Sequence, residues 1–126
     1  MRLSLRDNLP FVTVILGHDK KKIKIPNVLI DTGSGGTIFS ADEVARIGIT
    51  PQSEDILHHI HGVGGSEVVF MRRLERLQVG EYTCANFEIE VGGMDYGFDI
   101  GGILGMDFLL IAGARIDLGQ LTITFQ

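Results

Sequence analysis

Asp31, Thr32 and Gly33 follow directly on an apolar run, Val28-Leu29-Ile30. The run reads as a buried β-strand and the three residues after it as the loop at its end. A carboxylate in that place is held rigidly at the edge of a core. The glycine beside it lets another backbone, or a ligand, come close. Such a carboxylate can do general acid–base work, taking a proton from water or returning one to a leaving group. Asp31-Thr32-Gly33-Ser34 is also ordinary turn chemistry, because Asp and Ser cap and Gly takes positive φ. The decision between the two readings lies further down the chain.

Two downstream stretches bear on it. Ile60-His61-Gly62-Val63-Gly64-Gly65 is a glycine-rich tip between two runs that can pair as strands. Ile103-Leu104-Gly105 is an apolar pair and a glycine, followed by Met106-Asp107-Phe108-Leu109-Leu110. With these three stretches in this order, at single-domain length, the chain resembles the retropepsin-like aspartic proteases. The resemblance spans roughly residues 10 to 125. It implies an all-β fold, the retropepsin-like acid-protease half-barrel, with a flap hairpin and one or two short helices. In that family the apolar-Asp-Thr-Gly loop gives the catalytic acid, the glycine-rich hairpin covers the substrate, and the apolar-apolar-Gly segment threads beneath the catalytic loop.

What the resemblance implies is carried residue by residue. Asp31, Thr32 and Gly33 correspond to the catalytic triplet. Thr32 is expected to hydrogen-bond across a dimer axis beneath the acids, Ser34 to support the carboxylate from outside, and the Gly33 carbonyl to help hold substrate. Ser34, Ile60, His61, Gly62, Val63, Gly64, Gly65, Ile103 and Leu104 are the expected substrate-binding residues. The apolar ones among them would wall an extended groove that favours bulky apolar side chains beside the cut. No cofactor and no metal is implied.

The chemistry explains why one copy is not enough. Water is a poor nucleophile, and two carboxylates that share one proton meet both halves of the problem. The ionised one takes a proton from a water held between them, while the protonated one polarises the carbonyl and later helps protonate the leaving nitrogen. This chain has a single Asp-Thr-Gly. The second carboxylate is therefore expected from a second copy, related by a two-fold axis between the two Asp31 residues. The expected partners are this homodimer mate and a polypeptide substrate.

The match departs from the viral members in two linked places. Those enzymes place an acid shortly after Asp-Thr-Gly and an arginine just after the later glycine. Here Gly35 and Met106 stand at those points. Losing both partners together is consistent, because a lone buried charge is costly. Gly105-Met106-Asp107 looks more like the cellular and bacterial members. The dimer interface is accordingly expected to differ from the viral kind and to lie at residues 1–6 and 121–126, which are apolar and need a partner edge. His58, His59 and His61 crowd the glycine-rich hairpin, but strand alternation splits them between two faces, which argues against a metal site. His61 is expected near the cleft.

Composition agrees with one domain over residues 1–126. Hydrophobic content of 44% with 21% charged residues is that of a globular protein. Seventeen glycines against three prolines suit short strands and many turns. A net charge of −5 argues against a nucleic-acid surface. No apolar run approaches the ~20 residues of a membrane span, and residues 1–7 lack a signal-peptide core, so the cytoplasm is the expected location. Cys84 is the single cysteine and reads as a strand or core residue.

The positioning elements follow in order. A short edge strand is expected over 2–6. A hairpin should then pair 11–16 with 23–25 around Gly17-His18-Asp19-Lys20, leading through Pro26-Asn27 to the strand at 28–30. Ser40-Ala41-Asp42-Glu43 is a capping box for a helix of about two turns closed by Gly48. Residues 56–70 form the candidate flap hairpin. Phe87-Glu88-Ile89-Glu90-Val91 alternates as a strand with one wet face. A second helix covers 107–112, and 115–118 pairs with 121–125. Two other readings stand beside the protease: a catalytically silent peptide-binding or dimerisation module on the same fold, and a metal-binding or transport domain through the histidines.

Overall fold

The computed structural model of the chain describes residues 1–62, 65–94 and 99–126, with the side chains of 60–62 and 65–67 outside that description. β1 (Ser4–Arg6) runs antiparallel to β2 (Leu9–His18), and β2 turns into β3 (Lys21–Ile30). The turn residues Asp19 and Lys20 both take left-handed φ, 49° and 65°. That two-residue turn matches the right-handed twist of the strands it joins. β3 does not restart after Pro26 but runs through it. The register steps from Val12↔Val28 to Val14↔Ile25, so Pro26 and Asn27 oppose Thr13 alone, and Asn27 takes φ of 59°. This bulge places the residue that lacks an N–H where the ladder needs none.

After β3 come β4 (Ile38–Ser40) and α1 (Ala41–Ala45). β5 (Leu57–Gly62), β6 (Gly65–Val79) and β7 (Tyr82–Gly92) form a meander, followed by β8 (Gly102–Leu104). α2 (Met106–Ile111), β9 (Arg115–Asp117) and β10 (Thr122–Thr124) complete the chain. The large sheet has the order β1-β2-β3-β8-β4-β7-β6-β5, and β2 also pairs with β6 at Ile15↔Gln78, Leu16↔Leu77 and Gly17↔Arg76. That pairing closes the strands from β2 to β6 into a ring, which leaves β1 and β5 outside it. The architecture is the all-β one expected from the residues.

Alternation fills the ring. Val14, Leu16, Ile25, Val28, Leu74, Leu77, Ile89 and Leu104 are wholly buried in one apolar cluster, joined by Phe39 and Phe108. Residues of the opposite parity, Phe11, Ile38 and Val69, enter a second and smaller cluster with Met94 and Ile100. Leu9, Leu29 and Ile103 pack partly exposed against it.

α1 has five residues, and its capping box does not close. Ser40 stands at the cap position but makes no side-chain capping bond. It is the last residue of β4, nearly buried, and its N–H donates to the Gly101 carbonyl at 3.0 Å. Its sheet role fixes its orientation. Gly48, at φ 86°, ends the turn as expected.

The edges predicted at 1–6 and 121–126 are partly joined to each other. The Leu3 N–H donates to the Leu121 carbonyl at 2.8 Å, and the Ile123 N–H to the Met1 carbonyl at 2.9 Å. Leu3 and Ile123 are both in the main core. Part of the apolar character of these segments is thus used inside the chain, while Met1 and Leu5 stay exposed.

Candidate active site

Asp31 is the first residue beyond β3 and is partly exposed. Its backbone N–H donates to the Leu104 carbonyl at 3.0 Å, and its carboxylate Oδ1 accepts the Gly33 N–H at 2.9 Å. The Ser34 N–H closes the turn on the Asp31 carbonyl at 3.2 Å. A turn this tight aims a backbone donor at the carboxylate, which fixes its direction. Thr32 is exposed, and its hydroxyl makes no hydrogen bond among the described residues. Ser34 has a different partner from the one the resemblance implied: its hydroxyl donates to the Gly36 carbonyl at 2.8 Å, so it braces the loop rather than the carboxylate.

β8 runs parallel to β3, with Val28↔Gly102, Leu29↔Ile103 and Ile30↔Leu104 in register. Beyond it the chain passes under the Asp31 loop and is bonded to it. The Met106 N–H donates to the Ser34 carbonyl at 2.7 Å and the Asp107 N–H to the Gly35 carbonyl at 3.3 Å. Gly105 sits at the crossing, where any side chain would collide with the carbonyls of Gly36 and Ser34. That close approach is the physical need for glycine here.

Sequence reasoning missed the residues that pin this crossing. Thr37 is 1% exposed. Its hydroxyl accepts the Gly105 N–H at 3.1 Å and donates to Asp107 Oδ1 at 2.7 Å. The same oxygen accepts the Phe108 N–H at 2.7 Å, at the start of α2. Thr37 and Asp107 stand 70 positions apart, and neither belongs to a local pattern, so only the strand register brings them into view.

Ile103 and Leu104 part company. Ile103 lies beside Leu29 and Ile38 in neighbouring strands, on the partly open face, and forms an apolar floor next to Asp31. Leu104 has no exposed surface and belongs to the main core. Alternation turns it away from the groove, so it is not a groove wall, and what it offers the site is its carbonyl.

Residues 12–108 match the family model of aspartyl proteases. The chain belongs to the aspartyl protease family. Its fold is similar to that of a retropepsin-like aspartic protease from Rickettsia conorii, with a TM-score of 0.67 and 21% sequence identity over 95% of this chain and 92% of that chain. No curated protein sequence matches it significantly.

Within this aspartyl protease fold the glycine-rich stretch lies on the β5–β6 hairpin, paired from Leu57↔Phe70 to Gly62↔Gly65. Val63 and Gly64 fall outside the described residues, as do the side chains of Ile60 and His61. The foot of the hairpin is tied down. Arg72 donates to the Asp55 carboxylate at 2.7 Å and to the Thr50 carbonyl at 3.2 Å, and the Gln52 N–H donates to the same carboxylate at 2.7 Å. The Gln52 N–H first, and then Arg72, hold the Asp55 carboxyl below its ordinary range. His58 and His59 are exposed, and among the described residues no group of three His, Cys, Asp or Glu is placed to hold a metal. Burial pushes the Cys84 thiol above its usual range, away from nucleophilic use.

Proposed function

We propose that the chain is an aspartic endopeptidase in which two copies each supply one Asp31. The observation that carries this is the held carboxylate. Asp31 ends a buried strand, its N–H is tied to the threaded segment, its Oδ1 is oriented by Gly33, and its surface is partly open beside an apolar floor. Family membership supports the reaction type. The Thr32 hydroxyl, exposed and without a hydrogen bond among the described residues, is consistent with a bond across a two-fold axis.

In this reading a water sits between the two Asp31 carboxylates. The ionised one accepts a proton as the water attacks the peptide carbonyl, and the protonated one donates to the developing oxyanion. The tetrahedral intermediate collapses when a proton reaches the leaving nitrogen, which breaks the C–N bond. The partly exposed Leu29 and Ile103 favour bulky apolar residues flanking the cut, and the β5–β6 hairpin covers the substrate and excludes water.

Incubation with a diverse peptide library from about pH 4 to pH 7, read by mass spectrometry, tests this. Cuts flanked by apolar residues are expected from the native protein and none from Asp31→Asn. Equal cutting by both proteins would place the chemistry elsewhere.

A further inference from the structure

The pairing of β2 with β6 assembles one outward face from β3, β2, β6 and β7. Its first row is Lys22, Gly17, Arg76 and Ala85, and its second is Lys24, Ile15, Gln78 and Thr83, each residue directly opposite the next. Residues directly opposite in neighbouring strands share a face. Their neighbours of the other parity, Leu16, Ile23, Leu77 and Val79, are buried in the main core, so the two rows point away from it. Lys22, Lys24 and Arg76 are exposed, and no position in either row carries an acid.

Two further observations concern the cations. Gly17 is buried although it belongs to the outward face, because the Arg76 guanidinium lies across it: a Cβ on Gly17 would stand 2.7 Å from Nη2 and 2.9 Å from Nε. Arg76 is thus turned along its row toward the strand of Lys22. Among the described residues, Lys22, Lys24 and Arg76 make no ion pair and no side-chain hydrogen bond. The nearest acid in sequence, Glu75, accepts the Asp19 N–H at 3.2 Å instead. Three cations therefore gather across two inter-strand spacings, about 10 Å, without a counter-charge. They do so in a chain whose net charge is −5.

We infer that this face docks an acidic segment of a polypeptide partner. Lys22 and Lys24 stand two apart on one strand, about 7 Å, the spacing at which an extended run of Asp or Glu presents alternate carboxylates. Arg76 offers its planar fork to a further carboxylate. Gly17, Ala85 and Thr83 are small, so the surface between and beside the cations is low and a peptide backbone can approach it. The negative balance of the chain favours a short segment over a large polyanion. A membrane or a nucleic acid extends beyond the patch and meets the acids elsewhere on the surface, whereas a short segment stays within the ~8–10 Å over which the field of the patch acts. The face lies at the opposite end of β3 from Asp31, so docking there does not depend on the chemistry of that residue.

The test is fluorescence anisotropy at low salt with two labelled peptides of equal length, one carrying a run of about six glutamates and the other glutamines in their place. The native protein is expected to bind the Glu peptide at least about tenfold tighter than the Gln peptide, the scale of three partly screened ion pairs. Lys22→Gln/Lys24→Gln/Arg76→Gln should bring that ratio to about one. Lys22→Glu/Lys24→Glu leaves Arg76 in place over Gly17 and should do the same, so the result does not hang on the folding of one variant. Arg2→Gln/Arg46→Gln/Arg115→Gln removes the same charge from elsewhere on the surface and should leave the ratio within about twofold of the native one. A native ratio near one overturns the inference, whether or not the protein is retained on vesicles containing phosphatidylserine. An equal loss in the two triple variants also overturns it, because net charge and not this face would then be the cause.

Discussion

Thr37 and Asp107 show how a candidate site depends on residues outside its own loop. The Thr37 hydroxyl joins the Gly105 N–H to the Asp107 carboxylate and so fixes the segment whose carbonyl receives the Asp31 N–H. Thr37→Val keeps the shape and removes both bonds, leaving the Gly105 N–H without its acceptor. The expected cost is about 1–3 kcal/mol in chemical denaturation. Asp107→Asn retains a carbonyl oxygen for Thr37 and Phe108, so it should cost less than Thr37→Val. The reverse order would mean that the charge, not the acceptor geometry, matters. The contrast with Asp31 explains what was legible at this scale. Asp31-Thr32-Gly33 is contiguous and sits at a strand end, so the one-dimensional pattern announces it. The Ser34 hydroxyl donates to the Gly36 carbonyl and not to Asp31, a choice settled by angles that residue order does not contain. Leu104 was misread for a simpler reason. Its neighbour Ile103 is partly exposed, and in a strand that fact alone sends Leu104 the other way.

Among elements, the β5–β6 hairpin and its clamp carry the next expectation. Arg72 reaches from β6 to Asp55 and Thr50 and holds the loop before β5 against the hairpin's foot. The Asp55 pKa is lowered from 3.8 in the folded chain. A depressed carboxyl contributes stability that is present above its unfolded value and lost as the pH falls through its folded value. Asp55→Asn should therefore lower the denaturation midpoint at about pH 7, and the gap to the native protein should close as the pH drops below 3.8. Melting curves across that range check it, and a gap that stays constant would assign the effect to packing. Most elements were legible because their signals are local: the alternation of Phe87 to Val91, and the stop at Gly48. The passage of β3 through Pro26 was not. Its cause is a bulge opposite Thr13, and a bulge is a property of two strands together.

For the whole molecule, ring closure through β2 and β6 and the bonds joining residues 1–3 to 121–123 make a single chain a folded unit. On the two-copy reading, folding and activity then separate. The melting temperature should change little as the protein is diluted, while turnover per chain should fall once the concentration drops below the dimer dissociation constant. Sedimentation run beside peptide cleavage compares the two. Turnover per chain that holds constant far below that constant would rule out the shared site. The ring's closure, unlike its strands, was not visible from residue order, since Leu16 and Leu77, which meet there, lie far apart in the chain.

The in-chain pairing of the two termini has a consequence for how such a protein responds to its own abundance. On the two-copy reading, dilute chains that are whole but idle act as a reservoir, and active pairs arise from them by a second-order encounter. In that regime total cutting rises with the square of the amount present, so a tenfold increase yields about a hundredfold more. A modest local enrichment of chains would then behave as a threshold, with no change in any individual fold.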